Sequence, residues 1–146
     1  MAKSAAVGHR CDRAVRDEET EPMDTRVLIV DDDDRLRDVL SLYIDYEDGL
    51  TVAGTAADAT SAAALATELR PDAIVLDYHM PGLDGLAAIP LLRNALPNVR
   101  IVMFSADDDR RASDTALASG ATAYVTKNGQ RGLDDVVRLL HDTPAA

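Results

Sequence analysis

Polar groups capable of phosphoryl chemistry stand at the ends of four apolar runs in this chain. Val27 to Val30 runs into Asp31 and Asp32, Ala73 to Leu76 into Asp77, Val99 to Phe104 into Ser105, and Ala123 to Val125 into Thr126 and Lys127. In an open parallel sheet the carboxyl ends of the strands share one edge, and ligand sites gather there. Such a sheet would bring three carboxylates, a hydroxyl and an ammonium to one locus. Carboxylates held together raise one another's pKa unless cations neutralise them. A hard divalent ion such as Mg2+ does so through oxygen ligands, with Mn2+ able to substitute, and Lys127 adds a second cation. With metal bound, Asp77 can act as a carboxylate nucleophile toward phosphorus and form an aspartyl phosphate. Metal and ammonium then neutralise charge on the phosphoryl oxygens.

Each group also has a plainer role when taken alone. Asp31 to Asp34 could be a solvated helix N-terminus, where carboxylates suit the dipole, and this fits Asp33 and Asp34 best. Asp77 could form a turn before Pro81, Asp84 a cap, Ser105 a strand end or cap, and Lys127 a surface charge. Their common position weighs against these readings, because separate accidents would not place them all at the same end of successive strands.

The elements that must position these groups are legible as alternation. Val27-Leu28-Ile29-Val30 is a continuous aliphatic run, the mark of a strand buried on both faces. Asp33 or Asp34 can cap a helix through about Tyr46, with Leu36, Val39, Leu40 and Tyr43 on one face. Leu50 to Thr55 follows as a strand. Asp58 caps an Ala-rich helix that ends before Pro71. Ala73 to Leu76 is the third strand, and Asp84 caps a helix through about Leu96 that Pro90 should kink or loosen. Val99 to Phe104 is the fourth strand, and a helix from about Asp108 to Ser119 stops at Gly120. Thr122 to Val125 is the fifth, and Leu133 to His141 belong to the last helix. Strands and helices in alternation predict an α/β fold with a parallel sheet.

The 146 residues suit one domain, and 47% apolar content can build its core, which must be aliphatic because aromatics are only 3%. A net charge of −11 with no basic run argues against a nucleic-acid surface. No stretch has the length of a membrane span and no signal peptide opens the chain. The single Cys11 cannot form an internal disulfide, so a cytoplasmic location is expected. Residues 1–24 mix both charges without apolar periodicity and are expected to be a flexible tail; 143–146 are a short C-terminal tail.

The ordered set of motifs resembles the receiver domain of two-component response regulators, over about Thr25 to His141. The matching pieces are Val-Leu-Ile-Val-Asp31-Asp32, Leu76-Asp77 with Met80-Pro81-Gly82 and Asp84-Gly85, Ser105-Ala106, and Gly120-Ala121 followed by Tyr124 and Lys127. The resemblance implies a flavodoxin-like receiver fold, a doubly wound five-stranded parallel sheet of order 2-1-3-4-5. It implies Asp77 as phosphoacceptor, and Asp31 and Asp32 as the pair holding Mg2+, with the main-chain carbonyl of His79 as a further ligand. Ser105 matches the switch hydroxyl, Lys127 the lysine that pairs with the phosphoryl group, and Tyr124 the aromatic that moves inward with the hydroxyl. The side chains of His79 and Asp107 occupy positions that tune acyl-phosphate lifetime.

The run from Asp77 to Gly85, with Ile89-Pro90-Leu91-Leu92, looks most like LuxR-type receivers. Those continue into a DNA-binding domain, whereas only Thr143-Pro144-Ala145-Ala146 follow the last helix here, so a stand-alone receiver without direct DNA binding is expected. Two features depart from the pattern. Asn128 rather than proline follows Lys127, and a cis bond there would cost about 2.5–4 kcal/mol, so trans is expected. The four-aspartate run adds negative charge beside the pocket.

The resemblance implies a phosphodonor that is a sensor histidine kinase or histidine phosphotransfer protein, a downstream protein partner, and a possible homodimer. Two rivals remain: a receiver-like docking module that no longer accepts phosphate, and an aspartyl-phosphate Mg2+-dependent phosphatase starting from Asp31 and Asp33. The latter lacks the expected hydroxyl or β-branched residue at Asp34 and Arg35 and has no evident cap domain. An EF-hand loop fails because no glycine holds its sixth position, and no Gly-x-Gly-x-x-Gly follows the first strand.

Overall fold

A computed structural model describes residues 24–142 apart from Pro81 and Leu83. The tails expected at 1–24 and 143–146 lie, Asp24 excepted, outside the described residues. The elements are β1 (Thr25–Val30), α1 (Asp34–Tyr46), β2 (Leu50–Ala56), α2 (Ala59–Leu69), β3 (Ala73–Leu76), α3 (Gly85–Ala95), β4 (Arg100–Ser105), α4 (Arg110–Ala118), β5 (Ala123–Thr126) and α5 (Gly129–His141). The five strands are all parallel, in the order β2-β1-β3-β4-β5. This is the doubly wound order that the sequence led us to expect.

Side chains alternate across the sheet, so each strand feeds two apolar layers. Leu28, Val30, Ile74, Leu76, Ile101 and Met103 pack against α2, α3 and α4. Val27, Ile29, Val75, Val102 and Phe104 face α1 and α5, meeting Leu40, Ile44, Val136, Val137 and Leu140. The two covered faces explain why the central strands are uninterrupted aliphatic runs. Ala59, Ala62 and Ala66 are the buried residues of α2, and their small side chains let it lie close to the sheet.

Aspartates start four of the five helices. The carboxylate of Asp33 accepts from Arg35 N and Leu36 N, that of Asp58 from Ser61 N, that of Asp84 from Ala87 N and that of Asp109 from Arg111 N. Pro90 lies inside α3, as expected, and the helix runs from Gly85 to Ala95; Pro90 is exposed, while Gly85, Ala88, Ile89 and Leu92 are buried. The last helix extends four residues further toward its N-terminus than Leu133, to Gly129. The Lys127–Asn128 bond is trans, as expected.

Candidate metal and phosphoacceptor site

Strand register decides which residues meet. Val30 pairs with Leu76, Leu76 with Met103, and Ser105 with Thr126. Asp31 and Asp77 are each the next residue after a paired one, so they leave adjacent central strands at the same level. Asp31 N donates to Ala56 O at 3.1 Å and Asp77 N to Val30 O at 2.9 Å, which prolongs the sheet bonding into the site. Lys127 N donates to Ser105 O at 2.6 Å and carries β5 one residue beyond its last pair.

The side chains converge. Lys127 Nζ lies 3.0 Å from Asp31 Oδ2 and 3.1 Å from Asp77 Oδ1. Asp31 is 2% exposed and Asp77 5%, whereas Asp32 is exposed at the rim. One carboxylate oxygen from each of Asp31, Asp32 and Asp77 falls within 4.8 Å of the others. The second oxygen of Asp31, Oδ1, accepts from Asp33 N at 2.9 Å. The lysine chain also passes the Phe104 ring, with Nζ 5.9 Å from its centroid.

This geometry leaves negative charge under-compensated. Burial, then the charge of Asp31, with Asp32 adding less, pushes the Asp77 carboxyl up to about 6, although Lys127 pulls the other way. Burial works against the Lys127 ammonium, but its bonds and charge interactions with Asp31 and Asp77 outweigh that and raise its pKa. One ammonium therefore faces three carboxylates made only of hard oxygen donors. That donor set suits a small divalent cation, and the cluster could hold one.

The remaining predicted residues form an adjoining network. Ser105 is fully buried, and its Oγ accepts from Asp107 N at 3.1 Å. Tyr124 is half-buried and donates its hydroxyl to Asp107 O at 2.6 Å. Burial raises the Tyr124 phenol above its ordinary value, with a hydrogen bond to Ser105 opposing the rise. The Tyr124 ring meets Tyr78 edge-on at 6.2 Å, and Tyr78 lies 4.7 Å from the His79 ring. The His79 side chain is exposed, with Nε2 3.6 Å from the Asp107 carboxylate, so its imidazole stands apart from the acidic cluster. Asp31, Asp32, Asp77 and Lys127 are thus brought together, while Ser105, Tyr124 and His79 gather around Asp107.

Sequence reasoning missed two participants. Arg37 donates through Nη1 to the Asp31 carbonyl at 2.6 Å and pairs through Nη2 with Asp34. Its spacing of three from Asp34 is a usual helical charge-pair signal. Gly85 packs against the backbone after β3: a Cβ there would stand 1.8 Å from Asp77 O. Gly85 N also donates to Tyr78 O at 2.8 Å. The Asp84-Gly85 step showed in the sequence, but only three-dimensional proximity reveals why no side chain fits.

Comparison with known proteins agrees. Residues 27–138 match the family described as the response regulator receiver domain. A protein-glutamate methylesterase/protein-glutamine glutaminase of Maricaulis maris is 42% identical over 104 residues, covering 70% of this chain and 26% of that protein. The nitrate/nitrite response regulator NarL of Escherichia coli is 34% identical over 119 residues, covering 82% of this chain and 54% of its own length. The chain therefore spans from about a quarter to about half of these relatives. Among solved structures, the response regulator domain of Thermotoga maritima CheB superposes with a TM-score of 0.77 at 30% identity, covering 82% of this chain and 96% of that one. The CheX-CheY-BeF3-Mg2+ complex from Borrelia burgdorferi gives 0.73 at 26% identity, covering 80% and 90%. No helix among the described residues is long and apolar enough to cross a membrane. Sequence match, strand order and the placement of the acidic residues all agree, and the chain belongs to the receiver-domain family of two-component response regulators.

Proposed function

We propose that this chain accepts a phosphoryl group on Asp77 in a Mg2+-dependent reaction and converts that event into a change of a protein-binding face. The observation that carries the reading is the convergence of Asp31, Asp32 and Asp77 within 4.8 Å, with Lys127 bridging two of them. Asp31, Asp32 and Asp77, with the main-chain carbonyl of His79, would hold Mg2+, or Mn2+ in its place. The bound ion would supply charge neutralisation for the phosphoryl oxygens.

A sensor histidine kinase or histidine phosphotransfer protein is the proposed donor. In the transfer, an Asp77 carboxylate oxygen forms a bond to phosphorus as the phosphorus–nitrogen bond of phosphohistidine breaks, and the electron pair and a proton end on the imidazole. Asp77 must be ionised to attack, and with its pKa at about 6 it is mainly so at neutral pH. Lys127 is already within bonding distance of Asp77 and so can follow charge onto the phosphoryl oxygens. Ser105 is the proposed switch hydroxyl. Its hydroxyl would donate to a phosphoryl oxygen, a move that would shift the Oγ now accepting from Asp107 N, and Asp107 O accepts from Tyr124. Tyr124 also lines a groove with Arg131, Asp135 and Arg138 between β5 and α5.

The output is proposed to be binding of another protein, self-association or phosphate relay in the cytoplasm, with catalysis limited to the chain's own phosphorylation and dephosphorylation. Direct DNA binding has no support in a net charge of −11. The test is intact mass after incubation with acetyl phosphate or phosphoramidate, with and without Mg2+, beside Asp77→Asn. A metal-dependent gain of one phosphoryl group that the variant lacks is expected. No gain with either donor would leave a phosphorylation-independent docking module as the better description.

A further inference from the structure

The four consecutive aspartates do not act as one undifferentiated patch. Asp33 commits its carboxylate to Arg35 N and Leu36 N at the start of α1. Asp34 pairs with one arm of Arg37. The other arm of the same guanidinium donates to the Asp31 carbonyl at 2.6 Å. Arg37 therefore ties the end of β1 to the first residue of α1, across the turn from which Asp32 projects. Its side chain is only 18% exposed, so the fork is held rather than waving in solvent.

The consequence falls on the peptide unit between Asp31 and Asp32. Its carbonyl is fixed by Arg37, and the next amide but one, Asp33 N, is fixed by Asp31 Oδ1 at 2.9 Å. Asp32 is exposed, and the backbone that carries it leaves the turn that Arg37 spans. We propose that Arg37 is a positioning residue for the acidic pair: its fork holds the β1–α1 turn in the shape that lets Asp31 and Asp32 act together on a divalent cation. This rests on the reading of the acidic cluster as a metal site.

Simple charge would make the opposite prediction. A guanidinium beside a cation site repels the cation, so deleting it should tighten metal binding. Deleting a clamp should loosen it, as losses of groups that orient metal ligands do. Lysine separates the two further: it keeps the charge but has a compact head that cannot serve a carbonyl and a carboxylate as a planar fork does.

The experiment is calorimetric titration of the full chain with MgCl2 alone, for wild type, Arg37→Met, Arg37→Lys and Arg35→Met. Arg35 is an exposed cation on the same turn whose side chain makes no contact with the Asp31 carbonyl, so it controls for charge. Circular dichroism at the titration temperature checks that each protein is folded. The expected result is a Kd about tenfold weaker in Arg37→Met, the lower end of losses for groups that orient ligands. Arg37→Lys should weaken in the same direction by a smaller factor, with Arg35→Met unchanged or slightly tighter. Equal or tighter binding in Arg37→Met overturns the proposal; if that variant does not fold, wild-type affinity in Arg37→Lys does so. Absence of Mg2+ binding in wild type would instead overturn the metal-site reading, a distinguishable failure.

Discussion

Asp77→Asn should stabilise the metal-free protein at neutral pH, although it removes the group proposed to react. In the folded chain the carboxyl stands at about 6 against its ordinary 3.8, first through burial and then through the charge of Asp31. That displacement corresponds to roughly 3 kcal/mol at 1.36 kcal/mol per tenfold change in proton affinity. Water at the rim beside exposed Asp32 screens part of it, which leaves about 1–2 kcal/mol. The sign follows from linkage. Below about pH 3 the carboxyl is protonated in both folded and unfolded chains, and wild type and variant should not differ. As pH rises from about 4 to 6, the unfolded chain releases its proton first and wild type loses ground. Above about pH 6.5 the folded carboxyl is also ionised and the difference is constant. Asparagine keeps an oxygen for Lys127 while removing the charge. Urea denaturation in EDTA at pH 4.5, 5.5, 6.5 and 7.5 measures the difference, and saturating Mg2+ should shrink it by stabilising wild type more than the variant. A variant no more stable than wild type at pH 7.5, or a difference that does not vary between pH 4.5 and 6.5, would refute the reasoning.

Three further perturbations separate the site from its scaffold. Lys127→Met leaves Asp31 and Asp77 buried without a cation; a loss of about 2–4 kcal/mol is expected in EDTA, partly restored by Mg2+, with no phosphoryl gain in intact mass. Gly85→Ala places a Cβ 1.8 Å from Asp77 O, so α3 and the backbone after β3 must separate; thermal denaturation should show a cost of about 3 kcal/mol or more, together with slowed phosphoryl gain if Asp77 is the acceptor. Arg93 donates to the carbonyls of Gly120, Pro97 and Val99 at the end of the sheet opposite the site. Arg93→Ala should therefore cost about 2–3 kcal/mol by denaturant titration while leaving phosphoryl gain unchanged.

The strands were legible because burial on both faces demands unbroken aliphatic runs, and their polar ends were legible because those runs stop abruptly at Asp31, Asp77, Ser105 and Thr126-Lys127. Helix starts were legible where an aspartate caps, as at Asp58 and Asp84. Between Asp33 and Asp34 composition could not choose, since either carboxylate can cap; the bonds to Arg35 N and Leu36 N select Asp33. The first turn of α5 was missed because it carries no such signal: the Asn128 side chain makes no cap bond, and Gly129 has φ +54°. Within the site, the sequence supplied the charged groups but not their partners. That the Ser105 hydroxyl rests on Asp107 N, or that Arg37 reaches the Asp31 carbonyl, depends on side-chain directions that periodicity does not encode.

The bond between Lys127 and Asp31 joins residues 96 positions apart, the first strand's end to the last strand's end. A chain that has arranged β1, β3 and β4 but not β5 holds two carboxylates at the sheet edge with no lysine to answer them. Electrostatic strain therefore accumulates in any partly assembled form and is relieved when β5 docks. The charges gathered at the sheet edge thus tie β1 to β5 and disfavour half-built versions of the domain.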